Sequence, residues 1–348
     1  METKVIDCVA DPLAGTELGA EIIRNGGLVA FPTETVYGLG ANGLDGEAVN
    51  RIFLAKGRPN DNPLILHVSR KEQAGNLWLE VPPEAEKLMD TFWPGPLTLI
   101  FRRAKCVPDE VTAGLDTVAV RMPHNPTALA LIEKAGVPVA APSANLSGKP
   151  SPTRAEHVLR DMEGKIPLIL DGGPCRFGVE STVLSLVGIP TILRPGAVTK
   201  EMLGAVIGEV QLADCLLHPL KAGEKVLSPG MKYRHYAPKA QVYVVTGEPE
   251  KAARRILERY AAMEAQGKTV EIAGTEQTMA LYKAKGCRCS LMGDRQDPVT
   301  LCARLFTLLR EMDERAEVIL CEGVPPQGAG LAYMNRLLRA AGFQVEEV

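Results

Sequence analysis

Four short apolar runs alternate with helix-forming stretches throughout the last part of the chain. The runs occupy 241–245, 269–273, 287–291 and 317–321, and helical stretches follow them near 249–266, 276–285, 298–314 and 328–341. Strands that alternate with helices form parallel βαβ units, because a parallel connection needs a crossover long enough to hold a helix. The order therefore predicts a small, doubly wound α/β domain over 241–348.

Residues 1–207 carry more strand-like runs than helical ones, and the two kinds do not alternate strictly. The predicted strands cover 28–31, 64–68, 97–101, 117–122, 138–141, 168–170, 182–187 and 191–194. The predicted helices cover 14–26, 46–56, 84–92, 126–135, 153–163 and 199–207. This pattern predicts a twisted mixed sheet with helices on its faces. Between the two domains, 208–240 has proline, glycine and basic residues with weak periodicity, which indicates a linker.

The charge and aromatic content argue against several classes of protein. Lysine and arginine number 39 against 42 aspartates and glutamates, and the net charge of −3 argues against a surface devoted to nucleic acid. Aromatic residues make up 5% of the chain, which argues against a platform that stacks single strands. No apolar run approaches the ~18 residues that a membrane span needs. Because Glu2, Asp7 and Asp11 are atypical of a signal peptide, we expect a cytoplasmic protein without membrane contact.

The side chains that commonly bind metals are dispersed along the chain. None of the eight cysteines forms a C-x-x-C pair, and the five histidines are far apart in sequence. We therefore expect no metal site built from protein ligands.

Gly38, Gly40 and Gly43 form a G-x-G-x-x-G pattern after a predicted strand. In an NAD-dependent dehydrogenase an acidic residue follows about 20 positions later, at the end of the second strand. Here the nearest acid at that distance is Asp61, which precedes the predicted strand 64–68. We therefore expect a plain turn at these glycines, and a dehydrogenase is the weaker alternative.

Three hydroxyl-rich loops follow predicted strands. The segment 32–40 holds two threonines, a glutamate and a tyrosine between a proline and two glycines, and 142–153 holds three serines, an asparagine and a threonine. The segment 170–183 has Asp171 and two glycines near its start and Glu180, Ser181 and Thr182 before its final valine. Loops at the carboxyl ends of strands are where open α/β sheets bind ligands, and small hydroxyls with backbone N–H groups can hold an anion. Turn formation favours the same residue types, so a structural role is the alternative for each loop.

Cationic side chains accompany these loops. Lys56 and Arg58 lie two residues apart in a loop, and Arg121 and Arg194 each end a predicted strand just before a proline. A buried arginine costs desolvation energy unless it meets an anion. The sequence offers no Ser-His-Asp or Cys-His arrangement, and His67 alone in an apolar run is typical of a packed core. A cationic, hydroxyl-rich set favours phosphoryl or nucleotidyl transfer, in which positioning and electrostatics supply the catalysis.

Eight segments, in one order over roughly residues 15–240, resemble the YrdC-like family. They are FPTETVYGLG, AKGRPNDNPLILHV, FWPGPLTLIF, TVAVRMP, APSANLSGKPSPT, GGPCRFGVESTV, ILRPG and PGMKYRHYAP. The chain is similar to the longer class of L-threonylcarbamoyladenylate synthases, in which a linker joins the YrdC-like domain to a Rossmann-like one. The resemblance implies synthesis of threonylcarbamoyl-AMP and pyrophosphate from L-threonine, bicarbonate and ATP. It also implies a partner transferase that passes the threonylcarbamoyl group to the tRNA adenosine beside the anticodon.

Matching positions carry the site residues across from the resemblance. It implies a threonine pocket of Thr35, His67, Arg121, Ala141 and Ser181. It implies an ATP site of Lys56, Arg58, Asn62, Thr117, Ser143, Asn145, Ser151, Arg194 and Tyr236. Lys56 and Arg58 are the candidate catalytic residues, because they can neutralise the triphosphate during attack on the α-phosphorus. Arg121 suits the threonine carboxylate, which a guanidinium binds in a bidentate manner, and Mg²⁺ is expected on the phosphates.

Two other functions stay open beside this one. A tRNA- or double-stranded-RNA-binding module would use the basic concave surface of the family, and a weak tRNA contact is compatible with the synthase as well. A carbamoyl-transfer enzyme would also contain a YrdC-like domain, but such enzymes carry zinc-finger-like cysteine pairs that this sequence lacks.

The linker has two interpretations of its own. In the first, 228–238 is an active-site lid, in which Lys232, Arg234 and Tyr236 close over the nucleotide and exclude water. In the second, the segment is a solvated tether between two complete domains.

Overall fold

A computed structural model describes residues 1–218 and 236–348 of the chain. These residues divide into two units. The first contains 1–147 and 151–216, and the second contains 148–150, 217–218 and 236–348. Part of the predicted linker, with the candidate lid residues Lys232 and Arg234, lies outside the described residues. The division at 207 and 240 therefore stays a prediction.

The first unit is a mixed α/β structure. Its strands are β1 (Lys4–Asp7), β2 (Val29–Phe31), β3 (Gly38–Asn42), β4 (Ile65–His67), β5 (Leu97–Arg102), β6 (Thr117–Arg121), β7 (Val139–Ala140), β8 (Leu168–Asp171), β9 (Thr182–Ser185), β10 (Thr191–Arg194) and β11 (Gln211–Leu212). Its helices are α1 (Thr16–Arg24), α2 (Gly46–Lys56), α3 (Lys71–Gly75), α4 (Pro83–Phe92), α5 (Asp109–Thr112), α6 (Pro126–Ala135), α7 (Ala155–Met162) and α8 (Lys200–Ile207), and a 3₁₀ turn covers Asp214–Leu216.

The strands of this unit form one sheet in the order β1-β8-β2-β3-β7-β4-β6-β5-β9-β10-β11. The pairs β1–β8, β2–β8, β4–β6, β5–β9 and β10–β11 are parallel, and the other pairs are antiparallel. This arrangement confirms the predicted mixed sheet with helices.

Helices cover both faces of this sheet because the strand side chains alternate between them. On β2, Val29 and Phe31 belong to one buried cluster, with residues of α1 and α6, whereas Ala30 belongs to the cluster that contains residues of α2, α4 and α7. Strands buried on both faces read as unbroken apolar runs, as 28–31 does.

The glycine-rich segment after β2 is a strand and not the turn expected from the sequence. Gly38 and Gly40 lie in β3, which pairs antiparallel with β2. A Cβ built on Gly40 would lie 2.8 Å from the Phe31 ring, and one on Gly38 would lie 3.1 Å from it. The glycines therefore let β3 pass beside a buried aromatic ring. No helix begins there, as a dinucleotide fingerprint would require.

The second unit has strands β12 (Gln241–Thr246), β13 (Val270–Thr275), β14 (Cys289–Gly293), β15 (Val318–Glu322) and β16 (Val345–Glu347). Its helices are α9 (Pro249–Glu264), α10 (Met279–Ala284), α11 (Pro298–Asp313) and α12 (Ala329–Ala340). All described pairs are parallel, in the order β14-β13-β15-β12-β16. The predicted doubly wound domain is thus confirmed, although its strand order within the unit, 3-2-4-1-5, differs from the dinucleotide-binding order 3-2-1-4-5-6. Across the described parts of both units, no helix combines the length and apolar character that crossing a membrane requires.

Candidate active site

Arg121 and His67 end neighbouring parallel strands of the first unit. They are register partners on β6 and β4, so both residues lie at the carboxyl ends of these two strands. Arg121 is buried and donates from Nη1 to Thr35 Oγ1 at 3.0 Å and from Nε to the Gly95 carbonyl at 3.2 Å. Three residues predicted for the threonine pocket are thereby brought together.

A buried carboxylate shares this position. Glu34 Oε1 lies 2.6 Å from Arg121 Nη2, and the two side chains are only 5% and 4% exposed. Within residues 1–218 and 236–348, neither Glu34 oxygen nor Arg121 Nη2 has a hydrogen-bond partner, so the pair is a close charge contact without hydrogen-bond geometry. Buried polar atoms normally have partners, so these atoms are candidates for contact with a polar ligand.

Thr33 fixes the turn that carries Glu34 and Thr35. Its hydroxyl donates to the Val36 carbonyl at 2.6 Å and lies 2.8 Å from the Thr35 hydroxyl. The backbone carbonyl of Glu34 accepts from the Phe177 N–H at 2.9 Å, which ties the turn to another loop of the same unit. The turn is therefore set by local hydroxyl bonds of the kind that threonine makes in such positions.

His67 is a neutral imidazole at physiological pH. Burial, with a further contribution from the Arg121 charge, lowers the pKa of His67 from 6.5 to about 3. Its ring packs edge-on against Phe31 with centroids 6.1 Å apart. Among the described residues, no group hydrogen-bonds to His67 Nδ1. A neutral imidazole can hydrogen-bond a substrate hydroxyl without adding charge to the pocket.

This pKa predicts a pH dependence of stability. Below its unfolded pKa of 6.5, the unfolded chain protonates His67 whereas the native state does not until about pH 3, so stability present above pH 6.5 is lost on acidification. The free energy of unfolding of the wild type should fall by about 1.4 kcal/mol per pH unit below pH 6.5 because of His67, and His67→Gln should remove this dependence. Denaturant titrations from pH 7 to 4.5 measure it. His124→Gln, at an exposed histidine, is the control and should keep the wild-type slope. Parallel pH curves for wild type and His67→Gln would contradict the prediction.

Ser181 is held from two sides at the start of β9. Its Oγ lies 2.8 Å from Thr98 Oγ1 and accepts from Arg194 Nη2 at 3.1 Å, and its carbonyl accepts from Arg194 Nε at 3.0 Å. The structure thus joins Ser181, predicted for threonine, to Arg194, predicted for ATP. Ala141 follows β7 and donates its N–H to the Ile65 carbonyl at 3.0 Å, on the strand that ends at His67.

Lys56 connects a helix end to a loop. The side chain of Asp45 caps the start of α2, and the helix ends at Gly57 with φ 61°, which directs the buried Lys56 ammonium towards the 142–147 loop. Lys56 Nζ donates to the carbonyls of Ser143 at 2.5 Å and Asn145 at 2.6 Å. Three residues predicted for ATP therefore form one cluster, in which the Ser143 hydroxyl donates to Asn145 Oδ1 at 2.5 Å.

The loop before β4 holds two more predicted ATP residues. Arg58 stacks over Phe53, 5.3 Å from the ring centroid, and donates to the Asn62 carbonyl at 2.7 Å. Asn62 is fully buried, yet in the described part of the chain neither atom of its amide has a hydrogen-bond partner. Thr117 begins β6, two residues before the register partner of Ile65, so it is level with this loop. Thr117 lies about 13 Å along β6 from Arg121, at the amino end of that strand.

Ser151 and Tyr236 complete the predicted ATP set. The Ser151 hydroxyl donates to the buried carboxylate of Glu180 at 2.5 Å. Tyr236 belongs to the second unit, where it is buried against Phe306, with ring centroids 5.0 Å apart, and beneath the Arg336 guanidinium. The assignment of Tyr236 to ATP stays a prediction, as do the other assignments.

The described residues include no group of three or more histidine, cysteine, aspartate or glutamate side chains that could hold a metal ion.

Comparisons with known proteins identify the family. A family model described as "Telomere recombination", which covers Sua5, YciO and YrdC proteins, matches residues 21–196. A second model, described as "Threonylcarbamoyl-AMP synthase, C-terminal domain", matches residues 198–342. The chain belongs to this two-domain Sua5 family.

Relatives of the same length support the assignment. The threonylcarbamoyl-AMP synthase of Pyrococcus abyssi is 51% identical over 95% of this chain and 95% of its own. The Bacillus subtilis enzyme of the same name is 49% identical over 94% of this chain and 92% of its own. A crystal structure of P. abyssi Sua5 complexed with L-threonine has a TM-score of 0.91 at 47% identity and covers 99% of this chain and 100% of that one. The predicted resemblance is confirmed, and so is the prediction of an enzyme of the nucleotidyltransferase kind.

Three buried polar residues of this Sua5-family site, Glu34, Thr98 and Glu180, were not predicted from the sequence. For Glu34 and Glu180 the sequence gives one indication of a place in the site, because they adjoin the predicted residues Thr35 and Ser181. Thr98 had none, because a threonine inside the apolar run 97–101 is typical of any strand.

Proposed function

We propose that the chain is a threonylcarbamoyl-AMP synthase that uses L-threonine, bicarbonate and ATP. The threonine nitrogen and bicarbonate form a carbamate with loss of water. A carbamate oxygen then attacks the α-phosphorus of ATP, and the bond to pyrophosphate breaks. The observation that carries the proposal is the buried cluster of Glu34, Thr35, His67 and Arg121 at the carboxyl ends of β4 and β6, in which Arg121 donates to Thr35 and pairs with Glu34.

The pocket chemistry fits threonine. Arg121 supplies a guanidinium for a carboxylate, and neutral His67 and the Thr35 hydroxyl supply hydrogen-bonding groups for an alcohol. A relative that is 47% identical was crystallised with L-threonine. A buried site that hydrogen-bonds a substrate hydroxyl rejects analogues that lack it, because its polar groups would then lose their partners.

The cluster of Lys56 with Ser143 and Asn145 and the neighbouring loop before β4 fit the triphosphate. Lys56 at the end of α2 and Arg58 in the loop before β4 bring positive charge to this part of the unit, and Asn62 in the same loop offers a buried amide without a described partner. Arg194 adds a further cation at the end of β10, where it binds Ser181. Fixed cations stabilise the charge that develops on the phosphates during transfer without reorganising at the moment of reaction. We propose that Mg²⁺ enters with ATP, on its phosphates.

The product has a labile mixed anhydride, so the proposal requires an acceptor reaction nearby. We assign that reaction to a transferase that moves the threonylcarbamoyl group to the tRNA adenosine beside the anticodon, which places the enzyme in the cytoplasm with ATP and tRNA. Any direct tRNA contact of the chain would be weak and would show the salt dependence of phosphate contacts.

The reaction itself is the test. Pyrophosphate release from ATP should require threonine and bicarbonate together, and an adenylate containing both should appear by mass spectrometry. Serine, which lacks only the methyl group, should lower kcat/KM by about 10- to 150-fold, the usual cost of one missing methyl group in a fitted pocket. Equal pyrophosphate release without threonine would sink the proposal.

A further inference from the structure

Glu34 brings a buried negative charge into the cluster around Arg121. It is a buried anion 2.6 Å from the buried Arg121 cation that should receive the substrate carboxylate, and no described residue other than Arg121 offers its oxygens a donor. A carboxylate has about four acceptor positions, and the single contact with Arg121 leaves most of them without a donor, which is costly for a buried group. A ligand that brings donors to Glu34 and an anion to Arg121 would satisfy both side chains.

We propose that Glu34 determines the specificity of this pocket for zwitterionic α-amino acids over plain carboxylic acids. The inference rests on the proposed function and adds a residue that selects the substrate by charge. Glu34 accepts hydrogen bonds from the substrate ammonium group and repels a carboxylate that arrives without one.

The geometry supports this role. The charges of Glu34 and Arg121 are adjacent, with Oε1 and Nη2 only 2.6 Å apart. An α-amino acid also carries its two opposite charges side by side, on groups attached to one carbon atom. The pair and the zwitterion are therefore complementary in sign and in spacing. A lone carboxylate that approaches Arg121 must approach Glu34 too, and burial strengthens that repulsion.

A purely structural role for Glu34 makes a different prediction. If Glu34 only orients the Arg121 guanidinium, its loss would weaken the binding of every carboxylate ligand alike. If Glu34 selects by charge, its neutralisation weakens binding of the zwitterion and strengthens binding of the monoanion. The opposite signs separate the two roles.

The experiment titrates two ligands by calorimetry, without bicarbonate and therefore without turnover. The first is L-threonine, and the second is 2,3-dihydroxybutyrate, in which a hydroxyl replaces the amino group. Wild type, Glu34→Gln and Glu271→Gln are compared. Glu271 is a matched control, because it is also a buried glutamate paired with one arginine, Arg315, but lies in the second unit.

Wild type should bind threonine more tightly than 2,3-dihydroxybutyrate. Glu34→Gln should weaken threonine binding by about tenfold or more, as expected for loss of one partner of a buried charge pair, and should tighten binding of the analogue. Glu271→Gln should change neither. Equal weakening of both ligands, or no change, would overturn the proposal and leave the synthase function intact.

Two further outcomes are informative. If Glu34→Gln does not fold, wild type alone decides, since equal affinity for the two ligands overturns charge selection. If wild type binds no threonine at all, the proposed function itself fails, and the inference fails with it.

Discussion

Lys56→Ala is expected to lower kcat/KM for ATP by about 10²- to 10³-fold, the usual effect of removing one preorganised group that stabilises transition-state charge. The substitution removes a buried cation and also leaves the carbonyls of Ser143 and Asn145 without the ammonium that now binds them. Threonine affinity should change little, because the Arg121 pocket makes no described contact with Lys56.

The measurement is steady-state pyrophosphate release with ATP varied, together with calorimetry for threonine. Lys71→Ala is the matched control: Lys71 is a partly exposed lysine paired with the exposed Asp90, and its loss should leave both values unchanged. Lys56→Arg keeps the charge and should recover part of the rate. An equal loss of ATP use and threonine binding in Lys56→Ala would show that Lys56 acts through folding of the loop.

The strands and helices that the sequence predicted well are those with an unbroken pattern and a clear boundary. Helix α2 has the predicted bounds, 46–56, because Asp45 caps its start and Gly57 ends it in the left-handed conformation. Strand β10 also has the predicted bounds, 191–194, since a proline precedes it and another follows. Local chemistry marks the boundaries of these elements.

The elements that the sequence missed depend on tertiary partners. Strand β3 contains two glycines, which disfavour a strand locally, but the Phe31 ring leaves no space for a side chain there. Strand β1 has a largely exposed pattern and forms only by pairing with β8, far away in sequence. Short helices such as α5 carry too few residues for a helical period to appear.

The site shows the same division. The resemblance to the family predicted that Thr35, His67 and Arg121 share a pocket, and the structure brings them together at the carboxyl ends of β4 and β6. The ion pair of Arg121 with Glu34 was beyond sequence reasoning, because the residues are far apart in the chain and opposite charges alone do not indicate contact. The amide of Asn62, which has no hydrogen-bond partner among the described residues, is likewise a property of packing that only coordinates reveal.

Arg121→Met is expected to abolish measurable threonine binding and to lower the free energy of unfolding by about 3–5 kcal/mol, the usual cost of breaking a buried ion pair. The reason is that Glu34, at 5% side-chain exposure, would be left as an uncompensated charge. Arg254→Ala removes an arginine from an exposed pair with Glu250 and should cost at most about 1 kcal/mol. Chemical denaturation and threonine calorimetry measure the two effects.

The double variant Arg121→Met/Glu34→Gln separates the two consequences. It removes both charges together, so most of the lost stability should return, because a neutral buried pair avoids the desolvation cost that a single charge incurs. Threonine binding should stay absent, because the guanidinium that we propose as the receiver of the carboxylate is still missing. Recovered threonine binding in the double variant would show that Arg121 only balances Glu34 and that the substrate carboxylate lies elsewhere. A single variant no less stable than Arg254→Ala would show that the pair is not truly desolvated.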